Sequence, residues 1–265
     1  MFTVPYINGR IFDINSHSYL NENGASYCSK ELLNPRLLPK DPAEIDRNLQ
    51  IVTESYGSNA TFCVANPYTP YWQNKVAEVT AKLVRRGADG VYIDQVGAAP
   101  PKQCWDRNHG HTLGGGTYWT HGYGKMLQKI AGLVGNDAAV RSPIVTEDCA
   151  EPYMGGLHGY LVLGTFKNSL ASPTKASVGV TVSAESGLLV SDSGASVSTK
   201  RRGIAPAFPV VYGGYYTAIG AEWFVTDFND HNWWRGKLAA QLHSGVQMGW
   251  FSLAGVAAGK SKSKM

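Results

Sequence analysis

Two acidic side chains end apolar runs in the sequence and could act together. Asp94 closes "GVYID" at residues 90–94, and Glu147 and Asp148 close "IVTED" at 144–148, with one helix-like pattern between the two runs. Neighbouring parallel strands lie about 4.8 Å apart, so acids at equivalent strand ends can face one another. Retaining glycoside hydrolysis needs two carboxyl groups about 5–5.5 Å apart. The spacing fits such a pair, although strand-end acids also serve as helix caps and solvated loop residues.

The loop after Asp94 carries side chains suited to a polyhydroxylated ligand. Residues 97–119 read "GAAPPKQCWDRNHGHTLGGGTYW" and supply imidazoles, stacking rings and glycines that allow close approach to the backbone. The first apolar run is expected to end in Tyr6, Asn8, Arg10 and Asp13, which add candidates for binding substrate hydroxyls. The predicted substrate-binding residues are Tyr6, Asn8, Arg10, Asp13, Gln95, His109, His111, Trp119, Glu151 and Tyr212.

A metal site is the rival interpretation of the same loop. His109 and His111, with Cys104 and His121 nearby, offer ligand types that bind zinc. Metal-dependent barrel hydrolases draw ligands from several strand ends, whereas these residues lie in one loop and the start of its helix. The sequence therefore favours hydrogen-bonding histidines and predicts neither a metal nor a cofactor. A metal-dependent barrel hydrolase stays an alternative.

Strand-like and helix-like patterns alternate along the chain. Short runs rich in Val, Ile and Tyr suit strands covered on both faces. They lie at 2–8, 60–66, 90–95, 143–148, 159–164, 208–214 and 248–253. Amphipathic patterns predict helices over 70–87, 117–135 and 231–247. Their apolar faces are predicted to carry Val76, Val79, Leu83 and Val84 in the first helix, and Met126, Leu127, Ile130 and Leu133 in the second.

This alternation predicts a parallel α/β sheet, either doubly wound or a TIM (β/α)₈ barrel. Long loops follow the strands while the returns after helices are short, which favours the barrel with its site at the carboxyl ends of the strands. The run at 60–66 could belong to an excursion. About six barrel strands are then visible, so the sequence predicts a barrel that is incomplete at its N-terminus.

Composition changes mark the expected domain boundaries. Residues 169–203 switch to Ser, Val, Ala and Gly without an aromatic residue, which predicts a low-complexity insertion. Residues 256–265 form a basic tail that is expected to be disordered. The remainder of 1–255 is predicted to be one glycosidase-like barrel.

Composition and charge exclude several classes of protein. The net charge is only +4, and part of it lies in the tail, so no nucleic-acid surface is expected. No apolar run reaches the roughly 20 residues that span a bilayer, so no membrane partner is expected. The opening "MFTVPYINGRIFDINS" lacks the pattern of a signal peptide, and the location of the protein stays open. Four cysteines form no CxxC pair and leave one or two disulfides open.

Several stretches resemble a mainly bacterial domain-of-unknown-function family of glycosidase-like TIM-barrel proteins. They are "VPYINGRIFD", "GVYIDQVGAAPPKQCWDRNHGHTLGGGTYW", "VTEDCAEPY", "FPVVYGGYYTAIG" and "GVQMGWF". The resemblance covers most of residues 1–165 and 204–253. The family is distantly similar to the clans of α-galactosidases and endo-α-N-acetylgalactosaminidases.

The resemblance implies roles for particular residues. It makes Asp94 the nucleophile and Glu147 the general acid/base, with Glu151 as the competitor for the second role. It also implies a carbohydrate substrate with an α-linked O-glycosidic bond. The chain is expected to depart from the family pattern in two ways: it lacks the first strands, and it carries the segment 169–203. A non-catalytic carbohydrate-binding barrel fragment is therefore the alternative to a hydrolase.

Overall fold

The chain forms two compact units, Met1–Tyr160 and Leu161–Met265. The structure, a computed structural model, describes residues 3–35, 41–57, 60–135, 142–148, 150–161, 181–182, 189–190, 211–219, 239, 242 and 245–246. Within these ranges, no helix has both the length and the apolar character needed to cross a membrane.

Up to Leu161, the described residues form nine strands and four α-helices. The strands are β1 (Tyr6–Asn8), β2 (Ile11–Asp13), β3 (Lys30–Leu32), β4 (Leu49–Ile51), β5 (Thr53–Tyr56), β6 (Ala60–Val64), β7 (Val91–Asp94), β8 (Ile144–Glu147) and β9 (Gly159–Leu161). The helices are α1 (His17–Asn21), α2 (Pro42–Arg47), α3 (Pro70–Arg85) and α4 (Tyr118–Val134). Short 3₁₀ helices lie at Gly24–Tyr27, Arg107–His109 and Glu151–Gly156.

The central sheet places β1, β7, β8 and β9 side by side in that order. β1 pairs with β7 and β7 with β8 in parallel, with Asn8 opposite Asp94 and Ile93 opposite Thr146. Ile93 and Thr146 are fully buried, and α3 contacts β7. Because these strands are covered, their sequences do not alternate regularly between apolar and polar residues. The described residues thus form a mixed α/β fold with a parallel sheet.

Between β1 and α3 the chain makes an antiparallel excursion. β6 pairs with β2 and with β5, and β3 pairs with β4. A disulfide joins Cys28 to Cys63 on β6, while Cys104 is a buried free thiol. The run at 60–66 therefore belongs to the excursion and not to the parallel sheet. The expectation that Arg10 and Asp13 end the first strand is wrong, because β1 stops at Asn8 and Asp13 ends β2.

The first two predicted helices are confirmed and pack against each other as α3 and α4. Their buried faces differ from the predicted stripes at Val79 and Leu133, which are 39% and 50% exposed. In α3 the buried positions include Ala77, Thr80 and Ala81. Small residues let two helices approach closely, so the buried face is set by side chains that a count of large apolar residues overlooks.

The second unit is described in pieces. β10 (Thr181–Val182) and β11 (Leu189–Val190) form an antiparallel pair inside the predicted low-complexity insertion. Val211 and Tyr212 are helical, so a strand at 208–214 is wrong at those positions; the strand β12 is Thr217–Ile219. Ala239 and Leu242 are helical, in agreement with the third predicted helix. The predicted strand at 248–253 and the tail at 256–265 lie outside the described residues.

Candidate active site

Asp94 and Glu147, here called the acid pair, are the last residues of neighbouring parallel strands. The β7–β8 register pairs Tyr92 with Val145 and Ile93 with Thr146, so the next step sets Asp94 opposite Glu147. Residues in register on parallel strands point to the same face of the sheet. Burial and then the charges of Asp94 and Glu147 raise the pKa of Tyr92, so both carboxylates lie near one ring. The register therefore aligns the ends of the two strands at which the acids lie.

Asp94 accepts hydrogen bonds from two side chains of β1. The Tyr6 hydroxyl donates to Oδ2 at 2.5 Å, and the Asn8 amide nitrogen donates to the same oxygen at 3.1 Å. The Asn8 amide is itself oriented, because its Oδ1 accepts from the backbone nitrogens of Arg10 and Ile11. Strand pairing between β1 and β7 therefore supplies a carboxylate with two fixed donors.

Tyr6 is the most solvent-accessible member of this group. Its side chain is 62% exposed, and its ring stacks on that of Tyr92 with centroids 5.6 Å apart. Burial of the hydroxyl and its hydrogen bond to Asp94 raise the pKa of Tyr6 to about 12. The hydroxyl therefore keeps its proton at neutral pH and continues to donate to Asp94.

Each member of the acid pair is followed by a residue in the left-handed region. Gln95 has φ of 61° and Asp148 has φ of 51°. Such residues turn the chain sharply away from the strand, at a cost that non-glycine residues accept mainly at functional positions. Gln95 accepts a hydrogen bond from Asn8 and donates one to the Tyr56 hydroxyl, which in turn donates to Glu54.

A cleft of about 230 Å³ opens next to the ends of β7 and β8. Gly97 in its wall lies so close to the Glu147 carbonyl oxygen that an added Cβ would stand 2.6 Å from it. Trp119 also lines the cleft but is only 3% exposed. The lining residues are Val96, Gly97, Ala99, Pro101, Gly116, Trp119, Thr120, Ala150, Pro152 and Tyr153.

Arg10 has a structural environment despite its predicted role in substrate binding. Its side chain is 1% exposed and pairs with Glu54 Oε1 at 2.6 Å. The guanidinium also donates to the Pro100 carbonyl at 2.8 Å and lies 5.5 Å from the centre of the Trp119 ring. Arg10 therefore braces the loop after β7.

Asp13, Glu151 and Tyr212 are not brought to the acid pair by strand pairing. Asp13 is exposed, and its Oδ1 accepts from the Asn15 amide in a turn. Glu151 is exposed and opens the 3₁₀ helix after β8. Tyr212 belongs to the second unit, where its carbonyl accepts from the Tyr215 amide.

His109 and His111 lie in a second cluster, away from strand ends. His109 is 7% exposed, and its Nδ1 lies 3.3 Å from Cys104 Sγ and 3.0 Å from Asn66 Nδ2. His111 Nε2 lies 2.9 Å from the same Asn66 nitrogen, and its ring stacks on Tyr118. Burial lowers the pKa of both histidines and raises that of the Cys104 thiol. The three residues predicted as rival metal ligands, Cys104, His109 and His111, are thus gathered, whereas the fourth, His121, contacts Thr117.

Several contributors carry no motif in the sequence. Tyr92 could have been found from the two-residue repeat that puts it on the face of Asp94. Tyr56, Glu54 and Asn66 come from the excursion, and their approach depends on tertiary folding that no local pattern encodes.

The structure shows a parallel α/β sheet with two acids at the ends of neighbouring strands. Sequence comparison identifies the family to which the chain belongs. Residues 1–180 match the family described as Domain of unknown function (DUF6259). The chain belongs to this family, which confirms the resemblance seen in its motifs.

Two curated relatives carry similar names. A Monosiga brevicollis protein described as "Putative glycoside hydrolase 22789" is 37% identical over 256 residues, covering 96% of this chain and 18% of its own length. A Bacteroides thetaiotaomicron protein described as "Putative glycoside hydrolase" is 29% identical over 169 residues, covering 63% and 22%. The chain thus spans about a fifth of the length of these relatives.

Solved structures show distant similarity. The α-N-acetylgalactosaminidase NagBb from Bifidobacterium bifidum, in complex with GalNAc, aligns at 9% identity over 84% of this chain and 27% of its own, with a TM-score of 0.49. The Thermus thermophilus α-galactosidase TtGalA with stachyose aligns at 10% identity over 58% and 27%, with a TM-score of 0.38.

Proposed function

We propose that the first unit carries the catalytic acids of a glycoside hydrolase acting on O-glycosidic bonds, on a (β/α)₈-type barrel. The observation that carries the proposal is the register that sets Asp94 and Glu147 side by side on one face of a parallel sheet. The names of the two curated relatives support it. Strands about 4.8 Å apart hold such carboxyl groups near the about 5–5.5 Å that retention requires.

Asp94 is the proposed nucleophile. Hydrogen bonds from Tyr6 and Asn8 converge on Oδ2, which fixes the orientation of the carboxyl group. In the first step an Asp94 oxygen bonds to the anomeric carbon while the glycosidic bond breaks. The leaving oxygen takes its proton from Glu147.

Glu147 is the proposed general acid/base. In the second step its carboxylate removes a proton from water, whose oxygen bonds to the anomeric carbon and releases Asp94. The competitor Glu151 opens a 3₁₀ helix beyond the strand end, so strand pairing does not fix its distance from Asp94. The register therefore favours Glu147.

The substrate is proposed to be a carbohydrate or glycoconjugate with an α-linkage, as the family resemblance implies. The exposed Tyr6 ring offers a flat face of the kind that sugar rings contact, and the cleft next to the strand ends offers a second surface. The same surfaces would serve a non-catalytic carbohydrate-binding protein. Such a protein has no need of two acids at the aligned ends of neighbouring strands.

Hydrolysis of a panel of aryl α- and β-glycosides tests the proposal. The chain is compared with its Asp94→Ala, Glu147→Ala and Glu151→Gln variants. We expect turnover that Asp94→Ala and Glu147→Ala abolish, that azide partly restores to Glu147→Ala, and that Glu151→Gln retains.

Two outcomes would revise the proposal. Loss of turnover in Glu151→Gln with retention in Glu147→Ala would exchange the roles of the two glutamates. No turnover on any glycoside, with sugar binding detected by calorimetry, would leave the carbohydrate-binding protein as the function of this chain.

A further inference from the structure

Three lone-pair atoms converge at the second cluster, which lies outside the acid pair. Cys104, His109 and His111 each offer one ligand atom, and these atoms all lie within 4.8 Å of one another. The three residues are called the His–Cys cluster below. Cys104 is fully buried, His109 nearly so, and His111 partly.

Backbone carbonyls fix which imidazole nitrogens face the cluster. His109 Nε2 lies 2.8 Å from the Ser26 carbonyl oxygen, and His111 Nδ1 lies 2.8 Å from that of Thr112. A carbonyl only accepts, so these nitrogens carry the hydrogens. His109 Nδ1 and His111 Nε2 therefore present lone pairs. Metal-ligating histidines are commonly oriented by this kind of outer hydrogen bond.

The Asn66 amide nitrogen occupies the point where the lone pairs meet. It lies 3.0 Å from His109 Nδ1 and 2.9 Å from His111 Nε2, and Cys104 Sγ lies 3.3 Å from the same His109 nitrogen. The two hydrogens of the Asn66 amide are directed at the two imidazoles, and the Cys104 thiol can donate its hydrogen to His109 Nδ1. A cation at this point could instead be bound by all three ligand atoms at once.

We propose that Cys104, His109 and His111 bind a transition-metal ion of the zinc type, with Asn66 at the fourth position. Zinc bonds of about 2.0–2.3 Å place tetrahedral ligand atoms roughly 3.3–3.8 Å apart. The 3.3 Å between Cys104 Sγ and His109 Nδ1 already matches, and the widest pair must close by about 1 Å. One thiolate with two imidazoles selects zinc or copper over calcium or magnesium.

Besides this closing of the ligand atoms, binding requires two further local changes. The Cys104 thiol loses its proton to solvent, since the thiolate is the ligand. The Asn66 amide turns by half a revolution about Cβ–Cγ so that Oδ1 replaces Nδ2, which gives up the hydrogen bond that Oδ1 accepts from the Tyr68 amide. Asp106, 3.6 Å from His109 Nε2, adds a nearby negative charge.

The site has a structural consequence for the loop after β7. Its ligands span residues 104–111, and their contacts reach Ser26 and Asn66 in the excursion. A bound ion would therefore tie the loop after the proposed nucleophile to the excursion. Unlike the proposed function, this inference depends on no reaction at the acid pair.

Cobalt binding tests the proposal, because a thiolate bonded to Co²⁺ gives a charge-transfer band that oxygen and nitrogen ligands do not. The protein is freed of metal and titrated with Co²⁺, and Zn²⁺ is then added to displace the cobalt. We expect one Co²⁺ ion per chain to give the charge-transfer band. The band should be absent in Cys104→Ala and retained in Cys149→Ala and His121→Gln. His111→Gln should weaken binding by more than the about 10–100-fold typical of losing an outer partner.

An independent variant covers the case in which Cys104→Ala fails to fold. Asn66→Asp removes the donated hydrogens and supplies a carboxylate ligand. We expect its metal-free form to melt below the unsubstituted protein and its affinity for Zn²⁺ to rise at least tenfold. The proposal is overturned by a cobalt band that survives Cys104→Ala, by the absence of such a band, or by an affinity that Asn66→Asp leaves unchanged or lowers.

Discussion

The acid pair and the His–Cys cluster are built by different means. Asp94 and Glu147 end neighbouring strands that pair in register, β7 and β8, and the donors to Asp94 come from the next strand, β1. The His–Cys cluster meets because a loop folds against Ser26 and Asn66, about 40–80 residues earlier in the chain. The first site depends on a regular sheet and stays accessible to solvent. The second depends on tertiary packing and is largely buried. Substitutions should therefore affect chemistry at the first and stability at the second.

The largest expected effect contrasts one aspartate from each region. Asp94→Asn removes the proposed nucleophile and should lower kcat/KM by a factor on the order of 10³ or more. Its unfolding free energy should change little, because the amide still accepts from Tyr6. Asp106→Asn should do the reverse. Asp106 is 3% exposed and pairs with Lys30 at 2.6 Å, so its loss should cost about 1–3 kcal/mol of stability.

Urea unfolding and kcat/KM are measured on both aspartate variants. A large loss of stability in Asp94→Asn, or a large loss of turnover with normal stability in Asp106→Asn, would contradict the division between the regions.

The disulfide should be the largest single stabiliser of the excursion. Replacing Cys28 and Cys63 by serine opens a loop with a sequence separation of 35 residues. Closing a loop of this length stabilises the folded state by about 4 kcal/mol in the chain-entropy model. Urea unfolding checks the value, with Cys149→Ser as the single-cysteine control. A change below about 1 kcal/mol would show that packing alone holds the excursion.

Glu54 pairs with Arg10 and accepts a hydrogen bond from Tyr56, and it should give a pH signature. Burial alone would raise the pKa of Glu54, but the hydrogen bond from Tyr56 and the charge of Arg10 lower it. Since the folded-state pKa is depressed, the stabilisation is present above about pH 4.3 and is lost as the pH falls through the folded-state pKa. Glu54→Gln should cost about 3 kcal/mol at neutral pH by leaving the Arg10 charge unpaired.

Thermal unfolding between pH 7 and pH 3 checks this expectation. The loss of stability in acid should be smaller in Glu54→Gln than in the unsubstituted chain. Glu31→Gln, at an exposed glutamate that accepts a hydrogen bond from Gln50, is the matched control for the substitution itself. Identical acid profiles for Glu54→Gln and the parent would argue against the role of the Arg10–Glu54 pair.

The smallest expected effect is a gain. Asp148 has φ of 51°, which glycine adopts without strain, so Asp148→Gly should stabilise the fold by up to about 1 kcal/mol. Gln95→Gly relaxes a similar backbone angle but removes the bonds to Asn8 and Tyr56, so it should be neutral or destabilising. Melting temperatures of the two variants distinguish backbone strain from side-chain bonding. Equal shifts would mean that the Gln95 bonds contribute nothing.

Local patterns predicted the regular elements well. The apolar runs ending in Asp94 and Glu147 are strands, and α3 and α4 occupy the predicted ranges. The sequence could also predict that both acids lie at strand ends, whereas the adjacency and register of the two strands come from the structure. It could not place Arg10, whose position after β1 suggested a ligand contact but whose partner Glu54 lies on β5.

The His–Cys cluster shows the limit of spacing as evidence. Cys104, His109 and His111 are close in sequence, which counted against a metal because barrel hydrolases gather ligands from several strands. The residue that supports a metal site there is Asn66, which lies just after β6 and belongs to no motif in the sequence. Likewise Val211 and Tyr212 sit in an apolar run typical of a strand yet are helical, since the run alone does not distinguish the two.

The cystine bridge also bears on how the protein should be handled in the laboratory. Ser26 lies two residues before Cys28, and Asn66 three residues after Cys63, so the bridge holds together the two segments that orient His109. A reductant added during purification would free these segments from each other. With zinc at the His–Cys cluster as proposed, the zinc content of a preparation should depend on how the protein was produced. Protein matured in an oxidising compartment should retain more metal than protein recovered from a reducing cytosol.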